Sequence, residues 1–136
     1  MHRPIVILQG LAVLALVIAP ASAAVHDVQQ QGLTFDPAQI TINQGDVVRW
    51  HWNDGIHTVT NGVNPNSVDA GALFDAPIDA GHATFEYTFD TAGSYPYFCT
   101  YHFGLGMTGA VTVNSNTPVR ATTWSRIKAL YTESGE

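Results

Sequence analysis

Apolar residues follow two patterns along the chain. From Ile5 to Ala19 they run almost unbroken, interrupted by Gln9 and Gly10. From residue 25 onward they alternate with polar residues in short stretches. Ile40-Thr41-Ile42 alternates. Val48, Trp50 and Trp52 share one face of 47–52. Phe85, Tyr87 and Phe89 share one face of 82–89, with Glu86 and Thr88 on the other. A period of two marks half-buried strands, and β-branched and aromatic residues favour them. Turn formers separate the runs: Asp36-Pro37, Asn43-Gln44-Gly45-Asp46, Asn53-Asp54-Gly55 and the stretch 90–94. One or two further strands are expected in 25–35, and others at 57–60, 95–99 and 110–113. Residues 61–81 read as a long loop with a short strand at 72–74. Short strands at close spacing, without strand–helix alternation, predict an all-β sandwich or barrel.

The two ends differ from this middle. His2 and Arg3 precede the apolar run, and Pro20-Ala21-Ser22-Ala23-Ala24 follows it. A basic start, an apolar centre and small residues at a cleavage site make a secretory signal peptide. The run is shorter than the ~20 apolar residues that a membrane span needs. Residues 1–23 are therefore assigned to a signal peptide cut after Ala23, with Ala24 as the alternative. The product is exported, periplasmic or extracellular, and does not span a membrane after processing. Beyond residue 113, a linker at 114–118 leads into a tail that reads as a short amphipathic helix. There Trp124, Ile127, Leu130 and Tyr131 fall on one side, and Thr122 or Thr123 caps the start.

Composition narrows the function. The 136 residues suit one domain. Five Lys and Arg stand against eleven Asp and Glu, a net charge of −6. Removing residues 1–23 takes Arg3 with it and leaves 113 residues at −7. Nucleic acid is excluded as a partner, because phosphate affinity needs clustered cations. The single Cys excludes a disulfide within the chain. In an oxidising compartment a lone thiol is a liability unless it is buried or held.

The spacing around that thiol points to metal. Cys99 is followed after two residues by His102 and after four more by Met107. Thiolate and thioether select copper, and imidazole suits it. Gly104, Gly106 and Gly109 are expected to let the loop fold tightly. A second imidazole must come from elsewhere, with His26, His51, His57 and His82 as candidates. His51 lies between Trp50 and Trp52 and should face away from them. His57 opens a strand after a turn, so it can face a ligand loop at the same pole, and it is chosen. Zinc is less apt, since structural zinc rarely takes a thioether. A Cys–His nucleophile pair lacks an orienting third group. A buried core thiol is the plain alternative for Cys99.

With these residues in view, the chain resembles the cupredoxins, the blue copper proteins of the small plastocyanin-like and pseudoazurin-like kind. The carrying segments are Gly45-Asp46-Val47-Val48 with Trp50, His57-Thr58-Val59, and Phe89. Gly93-Ser94-Tyr95-Pro96-Tyr97-Phe98-Cys99, His102, Met107 and Gly109-Ala110-Val111-Thr112-Val113 complete them. The resemblance covers about 25–113. It implies an antiparallel Greek-key β-sandwich and one type 1 copper held by His57, Cys99 and His102, with Met107 as the weak axial ligand. It implies an electron carrier rather than an enzyme, monomeric, with His102, Phe103 and Leu105 as the electron port. Partners would be redox proteins such as a c-type cytochrome or a membrane oxidoreductase. A copper carrier or storage module is the alternative. Phe103 stands where many relatives have Pro, and the tail beyond Val113 is outside the usual fold.

Overall fold

The computed structural model describes residues 22–116. Residues 1–21 and 117–136 lie outside the described residues, and with them most of the signal peptide expected at 1–23 and the helix expected in the tail. Nine strands follow one another: β1 (Val25–Gln31), β2 (Thr34–Asp36), β3 (Gln39–Asn43), β4 (Val47–His51), β5 (His57–Asn61), β6 (Asp75–Ile78), β7 (Thr84–Thr88), β8 (Gly93–Phe98) and β9 (Thr108–Asn114). A 3-10 turn at Phe103–Leu105 lies between β8 and β9. Two sheets form, in the orders β2-β1-β4-β7 and β3-β9-β8-β5-β6. The expected all-β sandwich is what the chain builds.

The alternation is legible in burial. Val48 and Trp50 are fully buried, while Glu86 and Thr88 stay exposed beside inward-leaning Phe85 and Tyr87. Val28, Phe35, Ile42, Val59, Phe74, Ile78, Phe89, Tyr97, Val111 and Val113 complete the core between the sheets. Trp50 sits at its centre, stacked on Phe85 and edge-on to Tyr97. Large aromatic faces buried in this way supply much of the apolar area that holds such a small domain together.

Two expectations need correction. The sheets are not wholly antiparallel: five of the seven strand pairings are, while β1 with β4 and β3 with β9 run parallel. The chain leaves β1 through β2, crosses to the other sheet as β3, and returns as β4 beside β1. Parallel neighbours require such a crossover. The strand expected at 72–74 begins instead at Asp75. The backbone before it is claimed by Asn61, whose Oδ1 accepts from the Leu73 and Phe74 N–H groups. Pro77 is tolerated because β6 is an edge strand.

The topology places one pole of the sandwich for chemistry. β5 and β8 run antiparallel, with Thr60 opposite Phe98. The start of β5 and the end of β8 therefore lie together. The β8–β9 loop closes over the same end, since Phe98 also pairs with Thr108.

Candidate metal centre

His57 opens β5, and Cys99 follows β8 directly. Both are buried, His57 at 2% exposure and Cys99 at 0%. From Cys99 the chain turns tightly. The His102 N–H donates to the Cys99 carbonyl (3.2 Å), Leu105 to His102 (2.9 Å), and Gly106 to Phe103 (2.9 Å). Met107, fully buried, ties the loop shut. Its carbonyl accepts from the Cys99 N–H (3.0 Å), and its N–H donates to the His102 carbonyl (3.3 Å).

Three donor atoms converge there. His57 Nδ1 and His102 Nδ1 are 3.1 Å apart, and Cys99 Sγ lies 3.4 Å from His102 Nδ1 and 3.8 Å from His57 Nδ1. A point equidistant from the three is about 2.0 Å from each, a metal–ligand bond length rather than a van der Waals gap. Lone pairs aimed at one another at this range repel unless a proton or a cation lies between them. Two imidazoles and one thiolate, with the buried Met107 tied to Cys99 and His102 through its backbone, make a soft donor set that fits copper. Among the described residues, this is the one such cluster of His, Cys and carboxylate groups.

The other three candidate histidines are engaged elsewhere. His26 Nε2 lies 3.0 Å from Asp46, His51 Nε2 2.7 Å from Asp27, and His82 Nδ1 3.0 Å from Asp79. Of the four, His57 is the one that stands beside Cys99 and His102. Burial, and after it the neighbouring His102, hold the His57 imidazole below its ordinary pKa. It is thus neutral near pH 7, the form that can ligate.

Several residues that shape this end carry no sequence motif. Gln30 of β1 is fully buried. Its Oε1 accepts from the Asn53 and Asp54 N–H groups (2.9 and 3.0 Å), and its Nε2 donates to the Gly32 carbonyl (2.8 Å). The same nitrogen lies 3.1 Å from His57 Nε2. Gln30 thereby fastens the turn from which His57 emerges. The parity of Val28 and Gln30 in one strand, both facing inward, is the signal that could have found it. The Thr58 N–H points at Cys99 Sγ at 3.5 Å. Gly109, expected as a loop residue, is instead part of β9 opposite Tyr97. Its lack of a side chain makes room for the Tyr97 ring, which a Cβ there would overlap.

The surface above the site is apolar. His102 and Phe103 are half-buried, and Leu105 is 68% exposed. Phe103 packs edge-on to Phe98. Leu33, Ile56 and Tyr101 also lie exposed, in a shallow depression shared with His57 and His102. Sequence reading did not include these three in the patch.

Comparison with known proteins points to the same metal. A plastocyanin from Tetradesmus obliquus is 42% identical over 85 residues, covering 60% of this chain and 59% of that protein. The chain thus spans less than two thirds of that relative. A plastocyanin from Synechococcus sp. (strain JA-2-3B'a(2-13)) is 35% identical over 125 residues, covering 77% of this chain and 84% of that one. The solved oxidised plastocyanin of Dryopteris crassirhizoma superposes with a TM-score of 0.56 at 20% identity, covering 65% of this chain and all of that one, a likeness of fold. The profile of the copper-binding proteins of the plastocyanin/azurin family matches residues 22–114. The chain belongs to that family: it is a copper-binding cupredoxin.

Proposed function

We propose that this chain is an exported type 1 copper protein that carries single electrons between redox partners, with His57, Cys99, His102 and Met107 as its ligands. The observation that carries the reading is the triangle of His57 Nδ1, Cys99 Sγ and His102 Nδ1 at bonding distance from one point. Copper bound there would supply one electron at a time by passing between Cu(II) and Cu(I). The protein's part is to hold the donors still. Cys99 and Met107 are fixed by backbone hydrogen bonds inside the core, so little needs to move when the charge changes. The same burial keeps water off the sulfur and favours a retained ion over one handed on as cargo.

His102, Phe103 and Leu105 form the electron port in this reading, widened by Leu33, Ile56 and Tyr101. A small apolar contact suits a complex that must come apart quickly. The acidic balance of the chain suits a cationic partner such as a basic c-type cytochrome, drawn in by charge. Residues 1–23 direct export. Reduction of the copper-loaded protein by a cationic c-type cytochrome, followed against ionic strength, tests the carrier. The rate should fall as salt rises; a protein that takes up copper yet exchanges no electrons would be a store instead.

A further inference from the structure

Beside the copper site, on the outer face of β5, lies a group of hydroxyls that the ligand set does not use. Thr58 and Thr60 point the same way, two residues apart, and Thr100 follows Cys99. Thr60 Oγ1 donates to Asp75 Oδ1 at 2.8 Å. Thr58 and Thr60 hydroxyls are 2.9 Å apart, and Thr60 and Thr100 hydroxyls 3.1 Å. Thr58 Oγ1 accepts from the Thr100 N–H at 2.8 Å. The Thr58 N–H donates to Cys99 Sγ at 3.5 Å.

Thr58 Oγ1 also lies 3.2 Å from Thr100 Oγ1, and the hydrogens of the group run toward Asp75. An ionised carboxylate only accepts, and a threonine hydroxyl has one hydrogen to give. The Thr60 hydrogen therefore goes to Asp75. Its oxygen is left to accept, from Thr100 and, where Thr58 does not donate to Thr100, from Thr58 as well. The Thr58 hydrogen is then turned toward the Thr60 or Thr100 hydroxyl, and either way its lone pairs face the Thr100 N–H. Asp75, on β6, pairs with Thr60 across the ladder, so the carboxylate is delivered by the sheet register. The result ties the residue after His57 to the residue after Cys99.

We propose that Asp75 and Thr60 are positioning residues for the copper site. Their hydroxyl relay holds Thr58 so that its N–H stays on the Cys99 sulfur. The proposal rests on the copper reading above. A hydrogen bond to a ligating thiolate draws electron density from sulfur and disfavours the oxidised metal, so it raises the reduction potential. Loosening it lowers the potential. Loss of the Asp75 charge by Coulomb effect alone would do the opposite, which separates the two causes.

The test uses the copper-loaded protein with four variants. Thr60→Val removes the hydroxyl at constant shape and leaves the Asp75 charge; Thr60→Ser restores it. Asp75→Ala removes the acceptor, and Asp75→Asn removes the charge while keeping an acceptor oxygen. Voltammetry reads the potential, and amide hydrogen exchange by NMR on the diamagnetic Cu(I) form reads the Thr58 and Thr100 N–H groups. Thr60→Val should lower the potential and speed exchange at both amides, with Thr60→Ser near the parent protein. Asp75→Ala should speed the same exchange, and Asp75→Asn should leave it slow. Unchanged potential and exchange in a folded Thr60→Val protein would overturn the proposal. So would a Thr60→Val protein that fails to fold alongside a folded Asp75→Ala protein with unchanged exchange. A chain that takes up no copper would instead contradict the copper reading, and exchange in the copper-free protein would still judge the relay.

Discussion

A Cβ built on Gly55 would lie 2.8 Å from His57 Nε2, so the residue two positions before the first ligand must be glycine. Its φ of +71° is a second reason, because side-chain-bearing residues rarely adopt that conformation. Gly55→Ala should therefore push the imidazole toward the copper position and strain the turn. We expect a loss of about 1–3 kcal/mol in stability and a weaker hold on copper. Urea unfolding and competitive copper titration check the two effects.

Gly109 and Tyr97 have a similar relation in the sheet. They pair across β8 and β9, and the ring covers the glycine. Gly109→Ala drives a methyl group into a buried aromatic two residues from Cys99. Overpacking of this kind costs about 1–3 kcal/mol. Because the ring cannot swing out of a full core, the visible spectrum of the copper form should shift as well as the unfolding midpoint. Gly104, where nothing would meet a Cβ within 4 Å, is the control, and Gly104→Ala should leave both nearly unchanged.

Gln30 holds the turn before His57 with its side-chain amide. Gln30→Leu keeps the bulk but leaves the Asn53 and Asp54 N–H groups without that acceptor. Losing such partners costs about 1–3 kcal/mol. Copper release measured by chelator competition should become faster, while the absorption band persists because the ligands remain.

Asp46 anchors the chain just before β1. Its carboxylate accepts from the Ala24 N–H (2.9 Å) and the Asn43 N–H (3.0 Å) and meets His26 Nε2 (3.0 Å). These contacts, the two backbone bonds foremost, hold its pKa below the ordinary 3.8. Stability from this group is fully present above that value and is lost as pH falls below it through the native pKa. Asp46→Asn should flatten the acid branch of Tm against pH. Cleavage after Ala23 would also place the new α-ammonium of Ala24 on this carboxylate. N-terminal sequencing of the exported protein should then begin at Ala24, and a start at Val25 would contradict that contact.

How much of this was legible in the residues follows from which interactions are local. The Cys99, His102 and Met107 set stands within nine positions, so its spacing alone suggests one ion. Strand alternation around Trp50 and Phe85 is likewise written in the sequence with period two. His57 could be reached from its place after a turn, because a strand start and a ligand loop share a pole. Thr60 and Asp75 could not, because their roles come from register between strands; Gln30 shows its inward parity with Val28, but not the turn it holds. The stretch 72–74 misled for the same reason: Asn61, on another strand, takes the Leu73 and Phe74 N–H groups. Parallel pairing of β1 with β4 is a property of chain path, which alternation does not encode. Leu33, Ile56 and Tyr101 join the surface over His102 only when separate loops meet.

The most direct test is the visible spectrum of the purified chain after addition of Cu(II). The thiolate of Cys99 bound in a trigonal site with two imidazoles predicts intense absorption at about 600 nm. It should appear with one equivalent of copper and be lost in Cys99→Ser. A protein that stays colourless at saturating copper, or one whose colour survives Cys99→Ser, would contradict the account.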